Sequence, residues 1–289
     1  MAQALSRSST PSSGSPPAAA TLPALLRAGR PLVMGILNIT PDSFSDGGRF
    51  IAPEAALDQA RRMIAAGADI IDIGAESTRP YGGMQPVTAE EEIARLEPVL
   101  GRVAALGAPV SIDTMKAAVA DWAFAQGAAI GNDVWGLQRD PAMAQTIARW
   151  KLPVVVMHNR DEADASIDIM ADIEAFFART IAIADEAGIA RDALVLDPGI
   201  GFGKTPEQSL TVLGQLGRLK RFGLPLLVGA SRKRFIASVT PSEPTERIGG
   251  SIASHLIAAE SGAAIVRVHD VAETVQALRV AAAIRKMRS

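Results

Sequence analysis

Hydrogen-bonding side chains stand at the end of one short apolar run after another in this sequence. LVMGIL from Leu32 leads to Asn38, DIIDIG from Asp69 leads to Glu76, Ser77, Thr78 and Arg79, and APVSID from Ala108 ends at Asp113. AAIGND from Ala128 ends at Asn132 and Asp133, PVVVMH from Pro153 at His158, and ALVLDP from Ala193 carries Asp197. PLLVGA from Pro225 opens into Ser231, Arg232 and Lys233, and AAIVRV from Ala263 delivers Arg267 and then His269. Carboxylates and carboxamides gathered in one place suit a polar ligand that carries both donors and acceptors. Buried together, they cost stability unless they pair with one another or with such a ligand. Arg79, Arg232, Lys233, Arg234, Arg267 and His269 form a second set, suited to an anion because guanidinium forks match phosphate oxygens.

Each of these residues also has an ordinary use. Asp and Asn cap the following helix at about 1 kcal/mol apiece, and beside Asp113 the hydroxyl of Thr114 serves that purpose equally well. Arg232 and Arg234, taken singly, suit a solvated loop. Arg267 does not, since it lies inside an apolar run with His269 two residues on and therefore on the same face. Asp72, in the middle of its run, points by alternation toward interior packing and is assigned a structural role. His255, within an amphipathic stretch, is also structural, and His158, His255 and His269 lack the spacing of a histidine metal site. A hard cation held by oxygens and a substrate phosphate fits better.

Eight runs, each followed by a polar or glycine-bearing loop and an amphipathic stretch, must position these groups. Near-continuous Val, Ile and Leu over five or six residues marks strands buried on both faces, the parallel-sheet pattern. EAALDQARRMIAAG from Glu54 places Leu57, Ala60, Ile64 and Gly67 at helical spacing. Gly67, Gly188 and Gly262 stand where helix C-caps want a left-handed residue. Eight such units predict an α/β chain folded as a single (β/α)8 TIM barrel, with its chemistry at the C-terminal ends of the strands. An open doubly wound sheet is the competing architecture, but the first turn reads NITPDSFSDGG rather than a glycine-rich dinucleotide fingerprint. That turn and ESTRPYGGMQ combine Gly, Pro, Ser and an aromatic, as covers that close over a ligand do. Residues 1–22 are Ser, Pro, Ala and Gly with one charge, so they are expected to form a disordered tail, and 23–289 the barrel. The tail is Ser-rich without an acid, as a transit peptide also is, but lacks the charged start and apolar stretch of a secretory signal.

Composition excludes other classes. The 289 residues carry 29 Lys and Arg against 31 Asp and Glu, a net charge of −2, so no overall basic field favours nucleic acid or an anionic membrane. The absence of cysteine removes disulfides, thiolate nucleophiles and Cys-ligated metals, and is compatible with a reducing cytoplasm. No run of 18 apolar residues is present to span a bilayer.

From Pro31 to about Met287 the sequence resembles the dihydropteroate synthase family. The resemblance rests on MGILNITPDSFSDGG, GADIIDIGAESTRP, SIDT, NDV, LDPGIGFGK, GASRK and VRVHDV, which occur in that order. It implies a transferase of folate biosynthesis that condenses a dihydropterin methyl diphosphate with 4-aminobenzoate and releases pyrophosphate. By the same resemblance, Thr78, Asp113, Asn132, Asp197 and Lys233 bind the pterin substrate, and Arg267 and His269 its diphosphate. Asn38 completes a Mg²⁺ site. Asp113, Lys233, Arg267 and His269 are the expected catalytic set. Asp42, Phe44, Asp46, Arg79, Pro80, Phe202 and Arg234 are expected around the 4-aminobenzoate pocket and its mobile loops. A cytoplasmic homodimer inhibited by sulfonamides is implied as well.

TRPYGG, MHNRD and Arg234 after Lys233 depart from the family's usual pattern and bear on the aminobenzoate pocket through Tyr81 and Arg234. Two other functions compete. A non-catalytic pterin-binding paralogue would keep the pterin residues without the anion site, and a pterin-dependent methyltransferase would have no need of diphosphate contacts.

Overall fold

A computed structural model describes residues 21–39, 53–76 and 87–287. Eight strands follow one another along the chain: β1 (Leu32–Asn38), β2 (Ile70–Gly74), β3 (Val110–Asp113), β4 (Ile130–Asp133), β5 (Val154–Met157), β6 (Leu194–Asp197), β7 (Leu227–Val228) and β8 (Ile265–Val268). They form one parallel sheet in the order β6-β5-β4-β3-β2-β1-β8-β7. A single parallel bridge between Leu196 and Leu226 joins its two edges, so the sheet closes into the expected barrel.

Helices α1 (Leu22–Leu26), α2 (Pro53–Ala66), α3 (Ala89–Leu96), α4 (Leu100–Ala104), α5 (Ala117–Ala125) and α6 (Met143–Trp150) come from the first half of the chain. The second half supplies α7 (Ile169–Ala187), α8 (Pro206–Gly214), α9 (Arg234–Val239), α10 (Ile248–Glu260) and α11 (Val271–Lys286). Local chemistry sets several boundaries. The Asp168 carboxylate accepts the amides of Met170 and Ala171 at the start of α7, and Thr205 and Gln208 form a capping box across Pro206, the first residue of α8. Gly67, Gly188 and Gly262 all have positive φ, as the sequence pattern requires. None of these helices is long and apolar enough to cross a membrane, among the described residues.

Alternation along the strands separates two cores. Val33, Ile71, Ile73, Val110, Ile112, Val154, Val156, Leu194, Leu196, Val266 and Val268 face outward and pack under the helices in one large cluster. Leu32, Met34, Ile70, Ile130, Val155, Val195, Leu227 and Ile265 fill the lower interior of the barrel. Side chains two residues further along each strand share that interior face, so Asp72 stands above Ile70, Asn132 above Ile130, Asp197 above Val195 and Arg267 above Ile265. The apolar floor gives way to a polar upper layer at one level all round.

The floor is sealed from below by α1. Leu22 was expected in the tail, but it is the first residue of α1, only 2% exposed, and belongs to the interior cluster with Leu25 and Leu26 beside it. The ordered chain therefore begins before residue 23, because the barrel needs an apolar plug and TLPALL supplies one. A chain beginning at residue 21 should melt at the same temperature as the full protein. One that also lacks 22–26 should lose at least about 3 kcal/mol of stability in urea unfolding, the scale of losing buried leucines.

Candidate active site

The polar layer is organised around Arg267. Its Nε donates to Asp72 Oδ2 at 2.6 Å and its Nη2 to Asp113 Oδ2 at 2.6 Å. Asp72 also accepts from Asn132 Nδ2 at 3.2 and 3.3 Å. Four strands (β2, β3, β4 and β8) are thereby tied together at one height. Asp72, assigned to packing, is completely buried and does hold structure, but through charge: it orients both Arg267 and Asn132. Arg267 is largely buried, 18% exposed, among carboxylates that more than offset its desolvation, so its pKa is held above the ordinary value.

Asp113 is left incomplete. Its Oδ1 is buried and has no partner, as has the hydroxyl of Ser111 one turn of the pleat below. Burial pushes the Asp113 carboxyl up to about 7; Arg267 opposes that, and Asp72, Glu92 and Asp133 add to it. Thr114 rather than Asp113 takes the turn, its Oγ1 accepting the Lys116 amide at 3.2 Å. A buried acceptor at a strand end with no donor of its own is what a donor-bearing ligand would complete.

Asp197 faces the same mouth from β6. Its Oδ1 accepts the Gly199 amide at 2.8 Å, while burial raises its pKa against the opposing charges of Lys233, Arg267 and Lys204. Gly199 has φ +67°, and a Cβ there would lie 2.0 Å from the His158 carbonyl, so only glycine allows this contact. Lys233 precedes α9; its Nζ donates to the Ile200 carbonyl and sits 4.5 Å from the centroid of the Phe202 ring. Desolvation lowers its pKa to about 7. Arg234 is exposed on the first turn of α9.

Several strand-end residues do other work. Asp133 accepts the amides of Trp135 and Leu137 at 2.8 and 2.7 Å and closes a turn. Arg232 forms a two-point pair with Asp270. Glu76 accepts the Val87 amide at 3.2 Å and the Lys116 ammonium at 2.7 Å. His158 turns outward, fully buried behind β5. His255 accepts the Ala230 amide at 3.2 Å, in keeping with its structural assignment. His269 stays near the mouth, its Nδ1 3.0 Å from Ser231 Oγ.

Asn38 ends β1 with its side chain half-buried. Asp42, Phe44, Asp46, Thr78, Arg79, Pro80 and Tyr81 lie outside the described residues. Sequence reasoning passed over Lys204, a fully buried lysine at the end of LDPGIGFGK; its place after three glycines is the signal that could have marked it. A separate surface cleft, lined by Trp135, Arg139, Arg160 and Asp172 among others, holds none of the strand-end residues that line the mouth.

A closed (β/α)8 barrel with carboxylates, a carboxamide and cations at the C-terminal ends of its strands defines an enzyme site for a small polar ligand. A profile described as pterin binding enzyme matches residues 34–269. The dihydropteroate synthase of Bacillus subtilis (strain 168) is 47% identical over 241 residues, covering 83% of this chain and 84% of that protein. A Clostridium difficile dihydropteroate synthase solved in the presence of pteroic acid superposes with a TM-score of 0.85 at 46% identity, covering 89% of this chain and 97% of that one. A Yersinia pestis dihydropteroate synthase in a sulfonamide drug complex superposes with a TM-score of 0.82 at 44% identity, covering 89% and 95%. The chain belongs to the pterin binding enzyme family.

The Arg267 network carries a direct consequence for folding. Asp72→Ala would leave the guanidinium with one carboxylate and Asn132 without its acceptor, and should cost on the order of 3 kcal/mol. Urea unfolding of the variant at pH 7.5 measures this; a loss below about 0.5 kcal/mol would contradict the network, being the scale of an ordinary surface change.

Proposed function

We propose that this site joins (7,8-dihydropterin-6-yl)methyl diphosphate to 4-aminobenzoate, giving 7,8-dihydropteroate and pyrophosphate in folate biosynthesis. The observation that carries the proposal is the set Asp113, Asn132 and Asp197 on one interior layer, with a buried Asp113 oxygen awaiting a donor, in a chain of the pterin-binding family. A pterin presents a guanidine-like edge, and a carboxylate accepts two parallel N–H bonds from such an edge. Asp197 takes that edge. Asp113 and Asn132 complete the recognition of the ring's other polar atoms, Thr78 adds a contact, and Lys233 lies against the ring.

In the reaction the C–O bond to the diphosphate breaks, the C–N bond to the aniline nitrogen forms, and that nitrogen loses one proton to solvent. Arg267 and His269 stabilise negative charge growing on the departing diphosphate, and losing one such group typically costs about 10² to 10³ in rate. The carboxylates of Asp113 and Asp197 stabilise positive charge left on the pterin methylene. Among the described residues, no three His, Cys, Asp or Glu side chains gather as a metal cage. A Mg²⁺ ion that is bound mainly by diphosphate oxygens and water needs few protein ligands, and Asn38 offers a hard oxygen at the mouth. There it would supply further neutralisation of the leaving group.

The Phe202 ring, with Phe44, Pro80 and Arg234, forms the aminobenzoate pocket, and Asp42, Asp46 and Arg79 belong to the loops that close it. Sulfonamides, which resemble aminobenzoate, compete there, with affinity modified by Tyr81 and Arg234. The protein works as a homodimer. Ile257 on α10 and Val280 and Ile284 on α11, each about half exposed on two helices packed together, offer the apolar surface for it.

Purified protein with the pterin diphosphate, Mg²⁺ and 4-aminobenzoate should release pyrophosphate and form dihydropteroate, identified by mass, only with all components present. Pterin binding without release would mark a non-catalytic pterin-binding protein instead. Asp197→Asn should weaken pterin binding by about 1.5–3 kcal/mol in calorimetry, the scale of hydrogen bonds to a charged group.

The pH dependence has a definite sign. Asp113 must be ionised to accept from the pterin and loses its charge as pH falls through about 7; Lys233 must be protonated and loses its charge as pH rises through about 7. The profile of kcat/KM for the pterin substrate from pH 5.5 to 8.5 should therefore be bell-shaped with its maximum near 7. A flat profile would contradict both assignments.

A further inference from the structure

The loop after β6 folds back over its own last residue. Gly199, Gly201 and Gly203 all have positive φ (67°, 76° and 51°), and the curl they permit brings Lys204 underneath, where it is 2% exposed. The Lys204 Nζ lies 2.9 Å from the Gly199 carbonyl, 3.1 Å from the Phe202 carbonyl and 2.7 Å from His158 Nδ1. On the far side of the ring, His158 Nε2 lies 3.0 Å from Asp172 Oδ2, which also accepts from Arg160 Nη1 at 3.0 Å. A chain of polar contacts thus runs from Asp172 on α7, part-exposed at the surface cleft, through the buried His158 beyond β5 to the buried Lys204 under the loop.

Counting protons along the chain determines its charge. Four bonds must be filled: amine to two carbonyls, amine to or from Nδ1, and ring to the Asp172 carboxylate. A carbonyl and a carboxylate only accept, so four protons are needed. A protonated lysine with an Nε2–H imidazole supplies four, as does a neutral amine with a doubly protonated ring. Either way the amine and ring share one positive charge, faced by Asp197 and by Asp172, which Arg160 also pairs with. Burial pushes both groups down, His158 to about 3 and Lys204 well below the ordinary lysine value, each also repelled by cations around it. The charged groups facing them are Asp172 and Arg160 from the α7 side, Asp197 on β6 and Lys233 ahead of α9.

The same loop supplies what the mouth uses. Its Gly199 amide holds the Asp197 carboxylate, its Ile200 carbonyl holds the Lys233 ammonium, and its Phe202 ring lies beside that ammonium. Lys204 binds the carbonyls of Gly199 and Phe202, on either side of Ile200, and so braces the segment that makes all three contacts. We propose that Lys204, backed by His158 and Asp172, is a positioning residue for pterin recognition: their shared buried charge holds the 198–204 loop in the shape that aligns Asp197, Lys233 and Phe202. This rests on the pterin-binding role proposed for Asp197 and Lys233. Arg267, on β8, donates to Asp72 and Asp113, and His269, just beyond it, meets Ser231, and none of these partners belongs to the loop.

The test separates the two sides of the mouth. Lys204→Met, which keeps the bulk of the side chain and removes the charge, should weaken binding of 6-hydroxymethylpterin about tenfold or more. The inhibition constant of inorganic pyrophosphate should change by no more than about twofold, within the spread of a surface substitution. Equal weakening of both, or of neither, would overturn the proposal, since a general loss of packing does not choose between subsites. A measurement on the unaltered protein stands should that variant fail to fold. With three histidines in the chain, ¹⁵N-labelled imidazole signals are few, and His158 is assigned by its disappearance in His158→Gln. Its ring should stay in one protonation state from pH 5.5 to 8.5, with an Nε2-bound proton, and a ring that titrates near the ordinary value of about 6.5 would overturn the proposal. Turnover measured alongside distinguishes the two conclusions, because failure of the unaltered protein to bind pterin would overturn the proposed function while leaving the imidazole result to decide the relay.

Discussion

The bridge that Arg267 makes between Asp72 and Asp113 is the contact on which the rest of the site depends. It joins residues 195 and 154 positions apart in the chain, so it exists only once the sheet has closed. Buried charges are tolerated where they are paired and hydrogen-bonded, and here a guanidinium with two rigid forks faces two carboxylates on neighbouring strands. Asn132 is held by the same Asp72. Remove the guanidinium, and two carboxylates and a carboxamide would each lose a reason for their present orientation.

The barrel separates stability from recognition by height. Below the polar layer, the floor of Leu, Ile, Val and Met is sealed by α1, and outside the strands a second apolar cluster packs under the helices. Those two cores carry the stabilising burial. The upper layer is under-paired, with an acceptor of Asp113 and the hydroxyl of Ser111 left without partners, and carries groups whose pKa values are displaced by desolvation. Displaced titrations and unmet hydrogen bonds at a strand-end layer suit the holding of a ligand, whose own donors complete the structure. The glycine curl over Lys204 extends this arrangement outward, with a second line of buried charge behind the residues that face the mouth.

Much of this was legible beforehand. The eight apolar runs marked buried parallel strands, and the rule that barrel chemistry sits at strand ends placed Asp113, Asn132, Asp197 and Arg267 together correctly. Parity along each strand decided who faces in. Asp113 and Asp197 are an even number of residues from interior positions, whereas Asp133 and His158 are an odd number from theirs and turn outward, Asp133 into a turn and His158 into the contacts with Lys204 and Asp172. The lower boundary was legible less well, since Leu22 reads as the last residue of a low-complexity tail until there is a barrel floor for it to enter. Asp72 looked like packing because its partner stands at the other end of the chain.

The sequence by itself determined the class of fold, the family resemblance and the kinds of chemistry available, because hydrophobic period, turn residues and local motifs are short-range properties. Only the tertiary structure decided which charges are spent on one another. Arg232 is taken by Asp270, Glu76 by Lys116, and Arg267 by two aspartates, while Lys204 is drawn under its own loop. Pairing energies depend on distance and burial, and neither is defined until strands distant in sequence stand side by side in the closed barrel.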